Sequence, residues 1–173
     1  MVDNLKNKFQ GGDSYDKRPQ YGKTESHGPG GSFEEIIAPI RKAKNLSEVG
    51  IDEIAKENGI AETLAKQREF SNLKTSQLRK FFDTVKKIQV DVNDKGWNES
   101  VENDFYMIRV NLAYARGRGL IPNEFFTLVS ECIAKVISPD KELTKKNYLR
   151  FVQILEALVA YHKYNNPSSG GRR

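Results

Sequence analysis

Residues 77–92, "QLRKFFDTVKKIQVDV", decide the fold class. At 100° per residue, Leu78, Phe81, Phe82, Val85, Ile88 and Val92 gather on one face, while Arg79, Lys80, Asp83, Lys86 and Lys87 take the rest. That is an amphipathic helix packed on one side, with Thr75 or Ser76 placed to cap its start. "NDKGWNES", residues 93–100, reads as the loop that follows it.

The same period continues downstream. From Val101 to Arg116, Val101, Phe105, Ile108, Leu112 and Ala115 form one apolar face, and Met107, Val110 and Tyr114 form another. A helix apolar on two sides is expected at the centre of its bundle. Pro122 suits the first position of a helix that turns Phe125, Val129, Cys132, Ile133 and Val136 inward. Thr144 is expected to open the last and longest helix, with Tyr148, Phe151, Val152, Leu155, Leu158, Val159 and His162 on its apolar face. Nothing alternates long enough to make a strand. The fold class is all-α: a helical bundle of about four main helices over residues 73–165.

Ahead of the bundle, residues 32–72 carry shorter helical patterns whose docking the sequence leaves open. Ser32 is placed to cap "FEEIIAPIRKAK", and Pro39 should shorten or kink that helix. Residues 1–31 hold six glycines and little apolar surface, so they read as a flexible arm, and residues 166–173 read as a flexible tail.

The 173 residues suffice for one core, and 38% of them are hydrophobic. No apolar run is long enough for a membrane span, and the N-terminal stretch lacks a secretory pattern, so cytoplasmic residence is the expectation. Cys132 is expected as a small buried hydrophobe. One thiol and two distant histidines, His27 and His162, build no metal site, and His162 reads as a packed, hydrogen-bonded residue. With no triad, no inward carboxylate pair and no phosphate loop, neither an enzyme nor a cofactor is expected.

The net charge is +5, and its placement is uneven: residues 1–74 hold 12 Lys/Arg against 12 Asp/Glu, and residues 75–173 hold 16 against 11. Such a bias suits an anionic partner. Arg79 and Lys86 lie one heptad apart, as do Lys80 and Lys87, and as do Arg109 and Arg116. Seven residues at 1.5 Å make a spacing of about 10 Å, which suits a phosphate backbone. A solvated helix face explains the same residues. In "YARGRG", residues 114–119, Gly117 or Gly119 can end the helix in the left-handed conformation, and Arg116 complements the helix dipole there. Arg118 lies beyond the last turn and has no evident structural duty. Ala55, Gly59 and Leu64 have the spacing of a helix-turn-helix, but the would-be reading helix opens with Glu62, which repels phosphate.

Three phrases, "LKTSQLRKFFDTVKKI", "YMIRVNLAYARGRGLIP" and "YLRFVQILEALVAYHKY", in this order over residues 73–164, resemble the small helical subunit of type III-A (Csm) CRISPR interference complexes. The resemblance implies a non-catalytic subunit in antiviral defence that stacks in copies of itself beside the other subunits. It implies contact with guide RNA and target RNA without sequence reading, through Arg79, Lys80, Arg116 and Arg118; the helical wheel adds Lys86 and Lys87. Most aromatics are expected inside the bundle, leaving phosphate contact as the expected mode. A protein-only adaptor, or a helix-turn-helix DNA-binding protein, are the alternatives.

Overall fold

The computed structural model describes residues 31–167, to which the following description is confined; all but the last residue of the N-terminal arm and most of the C-terminal tail expected from the sequence lie outside them. Among the described residues the regular structure is entirely helical. Four long helices follow one another: α6 (Thr75–Lys95), α7 (Glu99–Gly117), α8 (Asn123–Ile133) and α9 (Lys141–Asn165). Five short ones precede them: α1 (Phe33–Ile36), α2 (Ala38–Lys42), α3 (Ile51–Ala55), α4 (Ile60–Lys66) and α5 (Arg68–Ser71).

The face read from residues 77–92 is the one that packs. Leu78, Val85, Ile88 and Val92 are buried, with Phe81 and Phe82 half-buried against the same core. α6 outruns the expected loop: it continues to Lys95, whose ammonium pairs with Asp91 at 2.7 Å, and ends at Gly96 with φ +69°. The N-cap is Lys74, and neither Thr75 nor Ser76 provides a capping bond. Trp97 turns inward from the short connection, and the Asn98 side chain caps α7 by accepting from the Val101 N–H.

The central helix is α9 rather than α7. Tyr148, Phe151, Val152, Leu155, Leu158 and His162 face one side of α9, Asn147 and Ile154 extend its buried surface, and it packs against α3, α4, α6 and the 3₁₀ turn Leu46–Glu48. Its start also precedes the expected Thr144: Asp140 caps it by accepting from the Glu142 N–H, because an acidic side chain is favoured at the positive end of the helix. Thr144 is buried instead, its hydroxyl bonded to both backbone groups of Ser138. Around Phe105 the rings of Trp97, Tyr148 and Phe151 lie at centroid distances of 5.5, 5.8 and 6.5 Å in edge-on arrangements. Such contacts add about 0.5–1.5 kcal/mol each to the burial of the rings. The Tyr148 hydroxyl donates to the Val85 carbonyl at 2.7 Å, joining α9 to α6.

α7 therefore sits at the margin. Val101, Phe105, Ile108 and Leu112 are buried, but Met107, Val110 and Tyr114 are 50%, 55% and 63% exposed. The apolar pattern of α7 is two-sided, but among the described residues no helix covers the second side.

The short helices fold back across α8 and α9, and their apolar residues share the single core with the long helices. Ser32 and Glu35 cap each other's backbone in a capping box, and the chain breaks at Ile37, with Pro39 in the first turn of α2. Arg41 pairs with Glu34 and, at 3.0 Å, with Glu131 of α8. Lys135 donates to the carbonyls of Arg41 and Ala43, at 3.1 and 2.6 Å, where α2 ends. Asn147 of α9 accepts from the Ser47 N–H at 3.0 Å and donates to the Val136 carbonyl at 3.1 Å. Tyr161 is half-buried and donates to the Ala55 carbonyl, whereas Tyr164 is 79% exposed.

Candidate nucleic-acid interface

The C-terminus of α7 is built by its glycines. Gly119 has φ +67°, the Leu120 N–H bonds the Ala115 carbonyl, and the Gly119 N–H bonds the Arg116 carbonyl, both at 3.0 Å. These two bonds are a Schellman motif with Gly119 as its left-handed residue, and Gly117 is simply the last helical residue. Arg118 is the C-cap. Its guanidinium lies over the Tyr114 ring, 5.5 Å from the centroid, and donates to the Tyr114 hydroxyl at 3.0 Å. A local duty therefore exists for Arg118: it shields and orients Tyr114, at a gain of about 0.5–1 kcal/mol for an exposed cation–π pair.

Between the first three turns of α6 and the last three of α7 lies a cleft of about 520 Å³. Its floor is apolar, made by Ile108, Leu112 and Ile121 from the core with Phe81 and Ala115 beside them. Its rim is polar: Gln77 and Lys80 stand on α6, facing Asn111, Tyr114 and Arg118. Two of the six cations singled out in the sequence, Lys80 and Arg118, thus line one cleft. Lys87 continues the Lys80 row along α6, one heptad on. Arg79 and Lys86 lie about 100° around that helix, with Lys86 5.8 Å from the Phe82 ring centroid. Arg116 is exposed on the flank of α7 opposite the cleft, in line with Arg109. None of the six is ion-paired with a carboxylate among the described residues.

Sequence reasoning missed Tyr114, Gln77 and Asn111. The helical period assigns Tyr114 to a buried second face, and a phosphate argument sets polar amides aside. The four-residue step from Tyr114 to Arg118 is the available signal, since such pairs meet on a helix surface.

Elsewhere the groups are structural. The His162 Nε2 is 3.0 Å from the Phe70 carbonyl and therefore donates to it, which fits the packed role expected of this residue. Cys132 is buried in α8, and burial pushes its thiol up to about 12, leaving it unreactive at neutral pH. α4 cannot enter a DNA groove, because Ile60 through Ala65 are all buried. Gly59 is there for space: a Cβ would come within 2.8 Å of the Glu53 and Lys56 carbonyls. The Lys66 ammonium and the Asn58 N–H hold the Glu62 carboxyl below its ordinary value, so this glutamate serves the turn between α3 and α4. No group of three or more His, Cys, Asp or Glu side chains among the described residues could hold a metal, and no described helix is long and apolar enough to cross a membrane.

The family model Csm2 Type III-A matches residues 52–168, a span that begins ahead of the three phrases and takes in α4 and α5 as well as the bundle. The CRISPR system Cms protein Csm2 of Enterococcus italicus (strain DSM 15952 / CCUG 50447 / LMG 22039 / TP 1.5) is 31% identical over 100 residues, covering 55% of this chain and 69% of that protein. No solved structure matches. With most of its length matched by the family model, this chain belongs to the type III-A Csm2 family, the small subunits of CRISPR Csm complexes.

Proposed function

We propose that this chain is a non-catalytic subunit of the RNA-guided effector that acts in the cytoplasm in antiviral defence, where it stacks in several copies and contacts the target RNA, or the guide–target duplex, through the backbone. The observation that carries this reading is the set of six cations on α6, α7 and its C-cap, none ion-paired with a carboxylate among the described residues and two of them on one cleft, in a family of type III-A CRISPR small subunits. Guide and target select each other by pairing, so such a subunit needs charge and shape complementarity rather than base-edge contacts. Arg79, Lys80, Lys86, Lys87, Arg116 and Arg118 are the residues assigned to the RNA. The uncovered strip of Tyr106, Met107 and Val110 on α7 is assigned to the neighbouring copy, since large apolar side chains in one strip gain most from being covered.

The test is the double substitution Arg116→Ala with Arg118→Ala in the assembled complex. It should weaken target-RNA capture, and reduce the dependence of log affinity on log salt by about 0.7 for each phosphate no longer neutralised, while assembly and helical circular dichroism stay unchanged. Unchanged affinity and slope would remove this pair from the RNA surface.

A further inference from the structure

We propose that the cleft between α6 and α7 receives one unstacked nucleobase of the RNA strand, held against the apolar floor and beside the Tyr114–Arg118 pair, with Lys80 at the strand's phosphate. The proposal rests on the RNA-contacting reading and deepens it. Phosphate binding alone leaves the cleft unexplained, because a phosphate gains nothing from a floor of Phe81, Ile108, Leu112 and Ala115. A base gains from both parts of the site: its faces favour aromatic, aliphatic and guanidinium surfaces, and its edges need hydrogen-bonding groups.

The cleft supplies these in one place. Its volume of about 520 Å³ lies within the range of about 300–1,000 Å³ typical of small-molecule sites. Tyr114 is 63% exposed yet fixed in orientation by Arg118, so a stacking partner is pre-formed at the rim. Gln77 and Asn111 present amides that both donate and accept, so they can serve the edge of any base, which agrees with contact that does not select sequence. Lys80 carries no ion pair among the described residues and stands on the same rim. Lys87 continues its row outward, giving the adjoining phosphates a path along α6. This extended charge favours a base within a strand over a free nucleotide.

The test uses the full chain at low salt and three ligands: a fluorescent oligouridine, the same backbone with abasic positions throughout, and free uridine monophosphate as competitor. The native chain should bind the oligouridine about ten-fold more tightly than the abasic strand, a difference of about 1.4 kcal/mol and at the low end of the stacking gain for one base. The uncharged variant Tyr114→Ala, which removes the exposed stacking ring from the rim, should lower oligouridine affinity toward the abasic level and leave abasic binding and the salt slope alone. The native comparison stands by itself if that variant misfolds. Equal binding of the two strands overturns the base site while leaving backbone contact intact; failure to bind either strand overturns the RNA reading as well. Displacement of the oligomer by uridine monophosphate at matching concentrations would make the cleft a free-nucleotide site and overturn the strand assignment.

Discussion

Replacing Asn147 with alanine should cost about 3 kcal/mol. The side chain is fully buried and serves two backbone groups that nothing else among the described residues satisfies, the Ser47 N–H at 3.0 Å and the Val136 carbonyl at 3.1 Å. A buried polar group left without a partner costs about 1–3 kcal/mol. Ser47 is half-buried, so its N–H regains water and falls at about 1; Val136 is fully buried, so its carbonyl falls at about 2. For a chain of this length each kcal/mol lowers the melting temperature by about 2–4 °C, so the variant should melt about 6–12 °C below the native chain. Thermal circular dichroism measures this, with Gln153→Ala, an exposed change on the same helix, as the control expected within about 0.5 kcal/mol of native. Amide exchange at Ser47 should quicken at the same time. A melting point within about 2 °C of native, with Ser47 protection retained, would refute the clasp between α9, the segment that follows α8 and the 3₁₀ turn.

Gly119→Ala should cost about 1–2 kcal/mol, read in the same melts, from backbone conformation alone: φ is +67° and a Cβ there would meet nothing within 4 Å. Gly117→Ala, by contrast, should be neutral or slightly stabilising, since Gly117 is helical and its Cβ would also meet nothing. With its thiol pushed up to about 12, about one Cys132 in ten thousand is ionised near pH 8, so iodoacetamide should label the chain in urea and not in buffer. Rapid labelling of the folded chain would show that α8 opens far more readily than its packing implies.

The packed faces of α6 and α8 were legible because a period of 3.6 against one core is all that those helices obey. Exchanging the centre from α7 to α9 shows where the period stops informing. It reports that Met107, Val110 and Tyr114 share a side, but not whether the chain itself covers that side. In α9 the second buried surface includes Asn147, a polar residue whose inward position depends on backbone groups at Ser47 and Val136, 100 and 11 residues away. Helix ends were legible where a local rule acts alone, as in the Ser32–Glu35 box, and misplaced at Thr144, where Asp140 competes for the same start. For the candidate site, charge pointed to Lys80 and Arg118, whereas the cleft joining them is lined from two helices and leaves no trace in either segment by itself.

The central claim is that the α6–α7 face of this subunit meets the target RNA. Photo-crosslinking of thiouridine-substituted target RNA in the assembled Csm complex, followed by mapping of the crosslinked peptides, tests it directly. Crosslinks should fall on the peptides carrying Lys80 and Tyr114–Arg118, and should fade when Lys80 and Arg118 are replaced by alanine in complexes that still assemble. Crosslinks confined to residues 33–71, or none on this subunit in a complex that holds its target, would contradict the claim.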